Sequence, residues 1–115
     1  MLSKIVIGLI VFAFIAVALG GGRGAKLAPA EAKKLVGDGA LLVDVRTPQE
    51  FAAGHIKGAK NIPLAAVSAR LADFGAKTAP IVLYCRSGNR SGQAAAILKR
   101  EGFSAVHDLG AMDRW

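Results

Sequence analysis

Cysteine is nearly absent from this chain: one residue, Cys85, in 115. A single thiol excludes an intramolecular disulfide. In an oxidising compartment a lone cysteine is better suited to work as a thiol than as a staple. Acidic residues are also scarce, 8 against 15 lysines and arginines, which leaves a formal net charge of +7. That excess suits nucleic acid, an acidic surface or anionic substrates. Aromatic residues make up only 6% of the chain, the basic residues are dispersed and no nucleic-acid motif occurs, so no nucleic-acid partner is expected. A basic soluble surface and an attraction for small anions remain. There is no internal repeat and no low-complexity stretch beyond Gly20–Gly24, which has the composition of a flexible linker.

Long apolar runs are missing too, with one exception. After the short positive start Met1–Lys4, Ile5–Leu19 is fifteen apolar or glycine residues without a charge. A positive start, an apolar stretch and the small-x-small site Ala16-Val17-Ala18 match a secretory signal. Ile5–Gly22 is also long enough for a retained membrane anchor, which needs roughly 17–25 residues. Both readings stand. Arg23, Lys26, Lys33 and Lys34 follow the run, and the positive-inside tendency pulls that side inward. The signal-like layout argues for export. We expect a cell-envelope protein, periplasmic or anchored through residues 5–22: residues 1–24 form a signal or anchor with its linker, and 25–115 a single folded domain expected to be a monomer.

Within that domain, strand and helix signals alternate. Pro29, Lys33, Lys34 and Gly37 delimit a short helix, and Leu41–Val45 reads as a buried strand. Thr47-Pro48-Gln49-Glu50 is a capping box opening a helix that stops at Gly54. Ala59–Ile62 is extended. Leu64, Val67, Leu71 and Phe74 recur at helical spacing before Gly75. Ile81–Tyr84 is the second strong strand, and Ala94, Ala95, Ile97 and Leu98 form the inner stripe of a further helix. Val106 and its neighbours make a last strand. Such alternation predicts an α/β fold: a small parallel sheet of about 4–5 strands with helices on both faces, preceded by an N-terminal hydrophobic helix.

In parallel sheets, ligands sit at the carboxyl ends of the strands. Cys85 lies at such an end, and so does Asp44-Val45-Arg46. A thiol between a strand end, a loop of backbone N–H groups and a helix N-terminus sits in a field that favours the thiolate. Arg86 and Arg90 add two charges, which suits a sulfur nucleophile that handles small anions. Gly88 lets the loop curl.

Three stretches together resemble the rhodanese-like family, specifically its single-domain exported sulfurtransferases. They are Leu42–Arg46 followed by Glu50-Phe51 and Gly54–Pro63; then Tyr84-Cys85-Arg86-Ser87-Gly88-Asn89-Arg90-Ser91; and last Leu109-Gly110 through Trp115. One departure is Ala111, where the family often has a second glycine. The resemblance implies ping-pong sulfur transfer. Cys85 takes sulfane sulfur from a donor such as thiosulfate and yields it to cyanide or a thiol, with no metal or organic cofactor. It implies a cradle of N–H groups from Arg86, Ser87, Gly88, Asn89, Arg90 and Ser91 around a persulfide, with Arg90 and Arg86 on a sulfonate end. Relatives that act on phosphate esters or arsenate resemble a loop one residue longer than Cys85–Arg90, so phosphatase chemistry is not expected. The alternative is a membrane-associated sulfur carrier serving a protein partner. Asp44 and Arg46 are expected as supporting residues: Asp44 fixes a neighbouring loop, and Arg46 serves either a structural ion pair or substrate contact. His55 is expected as a turn residue, His107 at the surface, and Trp115 over the core or the cleft edge.

Overall fold

Two continuous apolar runs form the centre of the sheet. In the computed structural model, which describes residues 25–115, β1 (Leu41–Asp44) pairs in parallel with β3 (Ile81–Cys85), from Leu41 opposite Ile81 to Asp44 opposite Tyr84. All of β3 is buried, as a strand covered on both faces must be. The short β2 (Lys60–Asn61) flanks β1 and β4 (Val106–Ala111) flanks β3. The order is β2-β1-β3-β4, and every pair is parallel. Side chains alternate across this sheet. Ile81, Leu83 and Cys85 pack with Ala94, Ala95 and Leu98 of α3 (Asn89–Arg100), whereas Val82 and Tyr84 face Ala32 of α1 (Pro29–Gly37) together with Leu109. Helices therefore cover both faces.

The capping box forms as written. Glu50 N donates to Thr47 Oγ1 at 3.2 Å and Thr47 N to Glu50 Oε1 at 3.0 Å, opening α2 (Pro48–Ala53). The helix expected over Leu64–Phe74 is instead two 3₁₀ segments, Leu64–Ala66 and Ser68–Phe74, with a kink at Arg70. Leu64 N donates to Val45 O at 3.0 Å, pinning this segment's start to the end of β1. So short a stretch gains little from helix cooperativity. Burial of Val67 and of Phe74, whose ring meets Phe103 edge-on at 6.2 Å, decides its path instead. His107, expected at the surface, is half-buried on β4, and that burial lowers its pKa. Trp115 is half-buried against the core on the α1 face, with Lys33 Nζ 5.6 Å above its ring. The expected N-terminal hydrophobic helix, with its signal or anchor role, lies in 1–24, outside the described residues. Among the described residues no helix is long and apolar enough to cross a membrane.

β4 carries a bulge. Leu83 pairs with Asp108 but Tyr84 with Gly110, so Leu109 is the extra residue. Gly110 then takes φ +91°, and a Cβ there would lie 3.1 Å from Lys26 Cδ. Ala111 is ordinary extended backbone at φ −71°, ψ 138°, so an alanine fits where the resembled family often has glycine. The outer edge of β4 is covered by the chain ahead of α1. Leu27 N donates to Asp108 O at 2.7 Å, and Arg114 Nη2 to Leu27 O at 3.1 Å.

The two neighbouring positions should answer unequally to exchange. Gly110→Ala forces a left-handed residue against the Lys26 stem and is expected to cost about 1–3 kcal/mol. Ala111→Gly loses only backbone restriction, about 0.5–1 kcal/mol. Urea unfolding of both variants checks the order.

Candidate active site

β3 ends at Cys85, and the three residues after it turn the chain into α3. The turn depends on Gly88, the residue capping α3, at φ +103° in the left-handed region. That conformation folds the loop back over the sulfur. Gly88 N donates to Cys85 Sγ at 3.0 Å and Ser91 N at 3.3 Å, while Ser91 Oγ lies 3.5 Å from Sγ. Cys85 is fully buried. Burial alone pushes its pKa up. The Ser91 hydroxyl and the N–H groups of Ser91, Gly88 and Ser87 outweigh that, so the thiol ionises more readily than a free cysteine. Of the six N–H groups expected in the cradle, those of Gly88 and Ser91 hydrogen-bond the sulfur and that of Ser87 also favours its anion, while no such bond is made by those of Arg86, Asn89 and Arg90.

The side chains of the loop divide. Arg90 has its guanidinium fork filled: Nη1 donates to Glu50 Oε1 at 2.6 Å and Nη2 to Glu50 Oε2 at 2.9 Å. Arg90 and the Thr47 N–H hold the Glu50 carboxyl well below the usual carboxylate range, so this pair stays ionised through mild acid. Arg90, expected to grip a substrate anion, is committed to a neighbour, and Glu50, read only as capping chemistry, is that neighbour. Arg86 is exposed and has no acidic partner among the described residues. Ser87 is exposed, and Asn89 is exposed with Oδ1 accepting from Gln93 Nε2 at 2.6 Å along α3.

Asp44 and Arg46 form a buried pair at the end of β1. Arg46 Nη2 donates to Asp44 Oδ2 at 2.6 Å and its own N–H to Asp44 Oδ1 at 2.8 Å, and Nη2 also reaches Gly54 O at 2.7 Å. Asn61 Nδ2 donates to the carbonyls of both Asp44 and Arg46. These bonds lock the loop between β1 and β2, which makes Arg46 part of an ion pair and not a free cation facing the sulfur. His55 closes the turn after α2, Nδ1 lying 2.8 Å from Phe51 O and its ring stacked on Phe51 at 3.7 Å.

Two residues at the site have no signal in the sequence. Lys26 Nζ reaches Gly88 O at 3.0 Å and Asp108 Oδ2 at 2.5 Å. They belong to the chain ahead of α1 and to the bulged strand, 82 positions apart. Only the folded topology brings them together.

The lowered thiol pKa fixes a sign. Cys85 stays anionic, and so reactive, at pH values where a free cysteine is protonated, and loses reactivity only as pH falls through its own lower value. The alkylation rate with iodoacetamide should therefore titrate below the midpoint of a cysteine peptide. Ser91→Ala should move that midpoint up, cutting the rate below it about fivefold.

Comparison with known proteins agrees with this geometry. The Rhodanese-like domain family matches residues 28–115. The chain is 43% identical over 94 residues to the thiosulfate sulfurtransferase GlpE of Pseudomonas aeruginosa, covering 78% of this chain and 82% of that one. It is 42% identical over 77 residues to the uncharacterised protein YqhL of Bacillus subtilis, covering 66% and 60%. Among solved structures, a human single-domain sulfurtransferase, TSTD1, superposes with a TM-score of 0.67 at 29% identity, covering 82% of this chain and 96% of that one. A rhodanese from E. coli with bound anions gives 0.63 at 35% identity, covering 66% and 91%. With the sheet, the cysteine loop and these likenesses in agreement, the chain belongs to the rhodanese-like family.

Proposed function

We propose that this protein is a thiosulfate sulfurtransferase that carries sulfane sulfur on Cys85. The supporting observation is the buried sulfur with two backbone N–H groups within 3.3 Å. Such donors stabilise negative charge on sulfur without needing to reorganise. The Cys85 thiolate attacks the outer sulfur of thiosulfate. A new S–S bond forms, the S–SO₃ bond breaks, and its electron pair leaves with sulfite. The persulfide anion that results is then attacked at its terminal sulfur. Cyanide departs as thiocyanate, or a thiolate departs as its own persulfide, and Cys85 is again a thiolate. Charge balances in both halves, and the chain supplies the sulfur nucleophile together with positioning and electrostatics.

Arg86 is the cation available to the sulfonate end. It is exposed beside the thiol, whereas Glu50 occupies the fork of Arg90. A monomer is the proposed working unit, with small sulfur anions or thiols as partners. The apolar run Ile5–Leu19 supports a cell-envelope location, secreted or anchored. A carrier that yields its sulfur only to one protein partner is the second reading, and the same assay separates the two.

Incubation with thiosulfate should add the mass of one sulfur atom, lost again on adding cyanide, and Cys85→Ser should abolish both changes. Release to a protein partner but not to cyanide would favour the carrier, and no gain in mass would overturn the proposal. Arg86→Gln should raise KM for thiosulfate about tenfold with a smaller change in kcat, as loss of one charge-assisted contact to an anion requires.

A further inference from the structure

Three donors meet at one backbone oxygen behind the thiol. Gly88 O accepts from Gly92 N at 3.2 Å, from the Ser91 hydroxyl at 3.2 Å and from Lys26 Nζ at 3.0 Å. A carbonyl oxygen offers two lone pairs, so one donor is superfluous. The ammonium bond is charge-assisted and the Gly92 bond belongs to the first turn of α3. The neutral hydroxyl is the donor most easily released. That same hydroxyl lies 3.5 Å from Cys85 Sγ.

Lys26 is held for this contact. Its Nζ lies 2.5 Å from Asp108 Oδ2, and the Asp108 side chain is only 6% exposed. The lysine stem crosses Gly110, where a Cβ would crowd it. Asp108 Oδ1 is buried without a hydrogen-bond partner among the described residues. An unsatisfied carboxylate oxygen is a cost to folding, incurred here at the one carboxylate that fixes the ammonium.

We infer that Lys26 is a positioning residue for Cys85: by occupying the Gly88 carbonyl it releases the Ser91 hydroxyl to donate to the sulfur anion. With the sulfur protonated, S–H donates to Ser91 Oγ and the hydroxyl donates to Gly88 O. When the thiol ionises, the hydroxyl turns to Sγ, and Lys26 keeps the abandoned carbonyl satisfied. Remove the ammonium, and the hydroxyl is drawn back to Gly88 O at the expense of the thiolate. Of the other charged groups around the sulfur, Arg86 in the loop, Arg90 with Glu50 on α3 and α2, and Asp44 with Arg46 after β1 keep their surroundings. Asp108 on β4 loses its ammonium partner, and the Ser91→Ala background separates that charge from the effect of the hydroxyl. This inference rests on the reading of Cys85 as the sulfur-bearing group, but it concerns ionisation of the thiol and is measured without turnover.

The test is the pH profile of iodoacetamide alkylation and of ultraviolet thiolate absorbance on the full-length chain. Lys26→Met keeps the stem over Gly110 and removes the charge. Its midpoint should rise, with the alkylation rate below the midpoint falling about fivefold, and Lys26→Arg should restore the parent profile. In a Ser91→Ala background, Lys26→Met should add no further shift. A Lys26→Met profile that superposes on the parent overturns the inference. So does an equal shift in both backgrounds, which would mean that the charge acts on the sulfur directly. If circular dichroism shows Lys26→Met unfolded, Lys26→Leu, which likewise lacks a donor for the Gly88 carbonyl, is read by the same criteria. A parent protein that gains no sulfur from thiosulfate would sink the proposed function while leaving this titration intact.

Discussion

Two amide hydrogens pointing at one buried sulfur are the interaction around which this domain is arranged. Burial by itself would keep Cys85 protonated, because a thiolate loses its water. The donors reverse that outcome. They converge only because Gly88 turns left-handed between β3 and α3, which bends the loop into a cradle closed by Ser91. A parallel sheet delivers the strand end to this place, and α3 supplies the first-turn N–H groups.

The second constraint is charge placement. Of the two arginines in the loop, one is neutralised and one is not. Arg90 braces α3 against α2 through Glu50, and the capping box of α2 holds that carboxylate in turn. Arg86 keeps its charge at the surface. The Asp44–Arg46 pair is buried and bonded to Gly54, and Asn61 ties the same corner, so it fixes the path of the chain between β1 and β2. Removing one partner of a buried pair of this kind costs about 3–5 kcal/mol.

Much of this was legible in the residues themselves. The apolar runs of β1 and β3, the capping box at Thr47 and the stripe of α3 report burial and local bonding, which act over a few positions. The cysteine loop was legible for the same reason, since Gly88, Ser91 and the sulfur lie within six residues. Two things were not. Leu64 with Val67 and Leu71 with Phe74 are each three apart, a spacing that an α-helix and a 3₁₀ helix both satisfy. The kink at Arg70 that separates the two pairs follows from burial of Val67 and Phe74 and from the pin at Val45 O. The partners of Arg90, Lys26 and Asp108 depend on contacts 40 to 82 positions apart, which no local pattern encodes. The bulge at Leu109 belongs to the same class, because it shows only in the pairing of β4 with β3, where Leu83 meets Asp108 but Tyr84 meets Gly110.

A parallel sheet of four strands has two borders, and an open border invites a foreign strand to add on. On one side β2 is only two residues long and offers little to pair with. On the other, the peptide of Leu27 lies along β4, tied at Asp108 and Arg114. Residues 25–28 therefore act as a hem as well as a leader into α1. A version of the protein trimmed to Pro29 would keep every helix and strand of the described residues, yet it would expose the rim of β4 to self-association and aggregation.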